Sequence, residues 1–338
     1  MNQLATDNAA SWINAHVLAE SMYCPRAGMM AFEHKQADRG QELDRSPRLD
    51  YLPDFSVEMI EAGLNRASNA VWRSLTWTPP VVLIAIIAGR LDGRPWWLIL
   101  IPAALFGGRW LYRKLCEVVE LSRRLRAAHA ALPEEPNPDS TQMQPVNWWS
   151  LLKAGFSSVE YEDSHEDPDR HFSGRPWRVL HKGSLRVPVF RKRSGKHEVR
   201  RQHVVRMAAY CHLLETCEGG QSPYGIVLFG DGYEGLTVPC SGENREAFAQ
   251  SLDNARTLIE AVRSGGLMPD TPPGNTCCAC PLGRPRVHRP GMTDTHLNGK
   301  QVAPFRTRGA DQRLYHSPCG DRFDWVPPHE SALEKGLR

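Results

Sequence analysis

The sequence predicts an α/β protein that carries an inserted helical transmembrane hairpin and a Cys/His metal-knuckle tail. Three observations predict it. Residues 150–268 read as strand, hairpin, helix, strand, helix, an α/β order. Residues 79–89 and 95–108 are two uncharged apolar runs. From residue 269 onward, Pro and Gly surround Cys277-x2-Cys280 and His316-x2-Cys319. The chain has 338 residues, enough for about two domains and an ample core. With 23% charged and 41% apolar residues it is not collagen-like, coiled-coil or wholly disordered. A mean hydropathy of -0.44 excludes a polytopic transporter. The net charge of +3 is too small to point to nucleic acid, so only local clustering can do so. Nine cysteines, an odd number, follow an opening (MNQLATDNAASWINAH) without the basic and apolar regions of a signal peptide. The expected compartment is the reducing cytosol, where cysteine clusters suggest metal before disulfide.

Taking the chain in order, residues 1–56 form an N-terminal helical part. An amphipathic helix lies around 14–21, Pro25 breaks it, and the polar stretch 36–52 is looped. Residues 57–131 form the helical hairpin. Met59, Ile60, Leu64, Ala67 and Val71 recur at helical spacing over 57–74. Each apolar run alone is shorter than the roughly 20 residues that span a bilayer. Their flanks bring them close to it, which predicts membrane insertion at about 71–112. Trp72, Trp77, Trp96, Trp97, Trp110 and Tyr112 would form interfacial belts. Arg109, Arg113, Lys114, Arg123, Arg124 and Arg126 follow the second run and favour a cytoplasmic side there. Both termini would then lie in the cytoplasm, at the inner membrane. The plainer alternative is a helical hairpin buried in a soluble core.

Residues 132–149 are a Pro-rich polar linker. In the core at 150–268, strands at 177–180 and 184–190 pair as a hairpin, and 199–216 is a helix. The run 224–230 is a buried strand, 236–239 a short strand and 244–264 a long helix. The tail at 269–338 is too irregular to pack unaided.

Two constellations could carry chemistry. Arg186, Arg191, Lys192, Arg193, Lys196, Arg200, Arg201 and Arg206 stand against a single acid, Glu198. On a hairpin edge and the first turns of a helix they would converge on a groove suited to a phosphate backbone; the plainer reading is a solvated face. In the tail, Cys277, Cys280, His316 and Cys319 supply the four ligands of tetrahedral zinc. Cys24 and Cys278 are alternative ligands that could serve an iron–sulfur cluster instead. Cys116, Cys211, Cys217 and Cys240 read as packing residues. The acids Glu160, Glu162, Asp163, Glu166, Asp167 and Asp169 form a solvated loop or a divalent-cation site.

In order, Tyr23-Cys24-Pro25-Arg26, Gly174-Arg175-Pro176-Trp177, Pro188-Val189-Phe190-Arg191-Lys192, Arg206-Met207-Ala208-Ala209-Tyr210, Tyr224-Gly225-Ile226-Val227 and the cluster at 277–280 resemble the CRISPR-associated RecB-like nucleases. These belong to the PD-(D/E)XK superfamily. The resemblance covers 12–30 and about 150–285, and it implies a restriction-endonuclease-like core. It also implies that Trp177 stands where the metal-binding aspartate belongs, Phe190 at the glutamate and Arg206 at the glutamine. Only Lys192 is retained. An indole and a phenyl ring cannot ligate Mg²⁺ or Mn²⁺, so no catalytic magnesium is expected. The family-like third cysteine would fall at Arg286, so His316 and Cys319 replace it or the cluster is lost.

The expectation is a membrane-anchored, catalytically inactive nuclease-like protein binding nucleic acid, most simply DNA, or a partner protein in bacterial antiphage defence. Two rivals come with it. One is an active metal-dependent nuclease with a migrated acid such as Asp163 or Asp169. The other is a membrane adaptor whose basic face meets anionic lipid.

Overall fold

The computed structural model describes residues 12–37, 56–92, 97–192, 197–229, 233–267, 269–270, 277, 280, 282–283, 286–287, 305–306 and 314–323. β1 (Ile13–Asn14) leads into α1 (Ala15–Tyr23), which Asn14 caps by accepting from the Val17 amide at 2.7 Å. α2 (Pro25–Ala37) opens on proline, whose missing N–H costs nothing at a first helical position. α3 (Val57–Asp92) and α4 (Trp97–Ala130) are long helices that pack together as a hairpin. β2 (Pro145–Asn147), α5 (Trp148–Lys153), β3 (Ser157–Val159), β4 (His165–Asp167) and β5 (Phe172–Gly174) follow. Then come β6 (Arg178–Lys182) and β7 (Leu185–Lys192), joined at Gly183, whose φ of +57° needs no Cβ relief. α6 (Arg201–Glu218), β8 (Tyr224–Phe229), β9 (Glu234–Pro239) and α7 (Gly242–Arg263) complete the core.

The main sheet has the order β2-β9-β8-β7-β6-β3. β7 and β8 run parallel with α6 as their crossover, and the other pairs are antiparallel. Alternation along the strands divides two clusters. Val187, Val189, Ile226 and Leu228 join one, and Val227 and Phe229 the other. The second cluster is completed by α1, α2, α6 and α7. The first is completed by Trp148, Trp149 and Leu151 of α5, and by Ile60, Ala67, Leu121 and Ala128.

Those last four residues correct the expectation for 57–131. The base of the hairpin is the layer that covers one face of the sheet. Among the described residues no helix is long and apolar enough to cross a membrane, so neither the transmembrane hairpin nor the inner-membrane placement built on it stands. The physical reason is the shortness of the uncharged runs. Outside them α3 and α4 carry charged residues, some of which pair along their own helix, as Lys114 with Glu117 and Arg124 with Glu120 do. The mixed α/β class holds.

A small sheet, β1-β5-β4, lies beside α6; β1 pairs with β5 in parallel, Ile13 opposite Phe172. In the tail, β10 (Arg286–Val287), β11 (Phe305–Arg306) and β12 (Leu314–His316) pair around β12 and lead to α8 (Pro318–Phe323).

Gly174 sits where β5, α1 and α6 meet. A Cβ there would lie 2.9 Å from Tyr210 Cε1 and 3.1 Å from Ala15 Cβ. Gly174→Ala should cost about 1–3 kcal/mol of stability by overpacking, read as a lowered midpoint in chemical denaturation.

Candidate functional site

The basic residues do not all reach one groove. Arg186 is held by Glu218 (Nε to Oε2, 3.1 Å) and by the Gly183 carbonyl at 2.8 Å. Arg191 is buried, its guanidinium 5.0 Å from the Trp177 ring centre. Arg193 and Lys196 lie outside the described residues. Arg200 and Arg201 are exposed at the start of α6, and Arg200 reaches Glu198 at 3.4 Å. Arg206 is buried one turn further on.

A tighter group forms around the N-terminal half of α6. The Arg206 guanidinium lies 4.5 Å from the centre of the Phe190 ring and donates to His16 Nδ1 at 3.1 Å. Because arginine only donates, that nitrogen of His16 is the unprotonated acceptor. His203 Nδ1 accepts from the Arg200 amide at 3.0 Å, and its ring lies 6.0 Å from Phe190. Lys192 donates to the Glu198 carbonyl at 2.6 Å and stands 5.8 Å from Phe229, on which His197 stacks. Burial first, then Lys192, Arg206 and Arg200, drive the His203 pKa down to about 4. Three cations therefore bear on one imidazole, with Glu198 the opposing charge. Such a field attracts a phosphate and repels a divalent metal.

Trp177 and Phe190 do not share this pocket. Trp177 belongs to the opposite cluster, 5.7 Å from Trp148, and Phe190 packs toward α6. The acids lie elsewhere. Glu160 pairs with Arg178 at 3.1 Å, and Asp167 accepts from His212 Nε2 at 2.7 Å and from the Arg170 amide. Burial pushes the Asp167 carboxyl up, but those hydrogen bonds outweigh it and hold it below the ordinary range.

Around the cysteines, α1 and α2 meet the tail. Cys24 closes α1, its amide bonded to the Glu20 carbonyl at 2.8 Å. Cys277, Cys280 and Cys319 arrive from the tail, and the Cys319 amide donates to the Leu282 carbonyl at 3.0 Å. All four cysteines line one cavity of about 10 Å³ with Tyr23, Ala27, Leu282 and Gly283. Burial raises the Cys280 thiol, against the lowering effect of the neighbouring Gly283 and Leu282 N–H groups. Gly283 is required, since a Cβ there would stand 2.9 Å from the Cys277 carbonyl. Cys278 and the side chain of His316 lie outside the described residues. Among the described residues no three His, Cys, Asp or Glu side chains form a preformed metal group, so the sulfurs border the space without meeting at one point. The donor set nevertheless suits a thiophilic ion, and the volume admits one atom-sized guest.

The sequence reading missed His16 and His203. His16 carries no local signal, being 190 positions from Arg206. His203 did carry one, three residues before Arg206 on the same helix. The comparisons add nothing to this picture: no protein-family model and no characterised protein matches the chain.

His203 should titrate near pH 4 by NMR rather than near 6.5. Its folded value is below its unfolded one. Stability from its neutral form is therefore complete above about pH 6.5 and is lost as pH falls from there toward 4.

Proposed function

We propose that this chain is a nuclease-like protein without nuclease chemistry that holds the DNA phosphate backbone at the Lys192, Arg200, His203 and Arg206 face of α6. The observation that carries the reading is the convergence of three cations on His203 beside Phe190, where the resembled nucleases place a carboxylate. The β6–β7 hairpin, the α6 crossover and the parallel β8 support the kinship, because they bring Lys192 and Arg206 to bear on one residue, His203. Phosphate oxygens would bind Lys192 and Arg200 directly, with Arg206 supplying charge from beneath Phe190. The role in antiphage defence rests on the same resemblance.

The reading includes a zinc ion at Cys24, Cys277, Cys280 and Cys319. When bound, zinc supplies a cross-link between the N-terminal helices and the tail, and no chemistry at the basic face. The cavity suits a single ion better than an iron–sulfur cluster. Elemental analysis should find about one zinc per chain, lost on Cys280→Ala. A visible chromophore with iron would replace zinc by an iron–sulfur cluster, and a chain free of both would end the metal reading.

Purified protein should shift linear DNA on a gel at low salt and leave it intact in Mg²⁺ or Mn²⁺. Binding should weaken steeply with salt, with a log–log slope of about 0.9 per contacted phosphate. The combined change Lys192→Glu and Arg200→Glu should abolish the shift. Unchanged binding by that variant, or metal-dependent degradation by the unmodified chain, would overturn the proposal.

A further inference from the structure

The cysteine cavity has a charged neighbour that its thiols do not explain. Arg26 follows Cys24 by two residues and is only 6% exposed. Its Nε donates to the Pro269 carbonyl at 2.8 Å, and its guanidinium lies 5.7 Å from the Phe323 ring centre. Its guanidinium also stands near the Cys319 thiol. One terminal nitrogen, Nη1, is buried without a partner among the described residues. No ion pair among the described residues involves Arg26. Glu33, on the same helix, is taken by Arg322 at 2.7 and 3.1 Å. Arginine cannot shed its proton to escape burial. A buried charge without a counter-charge is strongly unfavourable. Four neutral thiols provide none; four thiolates on a divalent ion leave a net negative charge beside the guanidinium.

We propose that Arg26 is the buried counter-charge of an anionic metal–thiolate centre at Cys24, Cys277, Cys280 and Cys319. This rests on the metal reading given above and extends it to a residue that ligates nothing. Arg26 is a positioning residue: it neutralises the loaded site from beside Cys319, while Pro269 and Phe323 hold its side chain in place. Its role separates two states. With metal bound, its charge is compensated; without metal, it is a buried cation facing neutral sulfur.

The test uses the full chain, loaded with Zn²⁺ and, for its charge-transfer bands, with Co²⁺. Competition with a chelator should show Arg26→Gln binding Zn²⁺ about 10–100-fold more weakly, the usual range for a group that supports metal ligands. Arg26→Lys, which keeps the charge, should stay within a few-fold of the unmodified chain. Thermal melts supply a sign that a structural role would not give. Zinc should raise the melting temperature of Arg26→Gln less than that of the unmodified chain, while the metal-free variant should be at least as stable as the metal-free parent. Equal Zn²⁺ affinity, equal losses in both metal states, or a metal-free variant that cannot fold where the parent can would each overturn the role of Arg26. An unmodified chain that takes up no metal would overturn the metal reading itself, a different and separable result.

Discussion

The structure depends on the burial of α6. This helix crosses from β7 to the parallel β8, and between His203 and Leu214 nearly every side chain is buried. It packs against α1, α7, β4 and the strands it connects. A helix enclosed this completely cannot send its polar residues to water, so each must meet a partner inside. Arg206 meets His16, His212 meets Asp167, Glu215 pairs with Arg245, and Glu218 joins His165 and Arg186. The short strands β1, β4 and β5 follow from this requirement. They carry or flank His16, His165 and Asp167, and they close the side of α6 that the main sheet leaves open.

The two ends of α6 differ in electrostatic character for the same reason. Toward its C-terminal half the partners are carboxylates, and charges cancel in pairs. Toward its N-terminal half Arg206 meets an imidazole and an aromatic face and Lys192 a carbonyl, while a carboxylate, Glu198, is set against Arg200. Lys192, Arg200 and Arg206 therefore leave a net positive field, felt most by the buried His203. A single helix thus carries a neutral structural end and a cationic end suited to an anion.

Much of the core was legible in the sequence because its signals are local. Alternation marked β7, a continuous apolar run marked β8, helical spacing marked α6 and α7, and the Cys277-x2-Cys280 spacing picked out two of the cysteines that line the cavity. What was illegible depended on distant register. Nothing local places Ile13 opposite Phe172, brings Cys24 to Cys319, or sends Trp177 and Phe190 to opposite clusters. The hairpin misled for a different reason. An uncharged run is the same string whether its helix ends in lipid or continues into an amphipathic base, and only Ile60, Ala67, Leu121 and Ala128 packed on the sheet tell which. The basic run showed its charge but not its burial, so Arg186 and Arg191 read as a groove when they are internal partners.

The pairing of β1 with β5, and of Cys24 with the tail cysteines, has a consequence for how the chain is made. Ribosomes deliver the N-terminus first, yet α1 and α2 pack on surfaces formed by α6 and α7, and their last contacts wait for α8. Contacts between such remote positions form slowly, because loop closure precedes any stabilising gain. The apolar faces of the first two helices must therefore stand uncovered while most of the chain is still being translated. A nascent chain in that state is a natural client for a chaperone, and the final seal between the helices and the tail is a late, post-translational event.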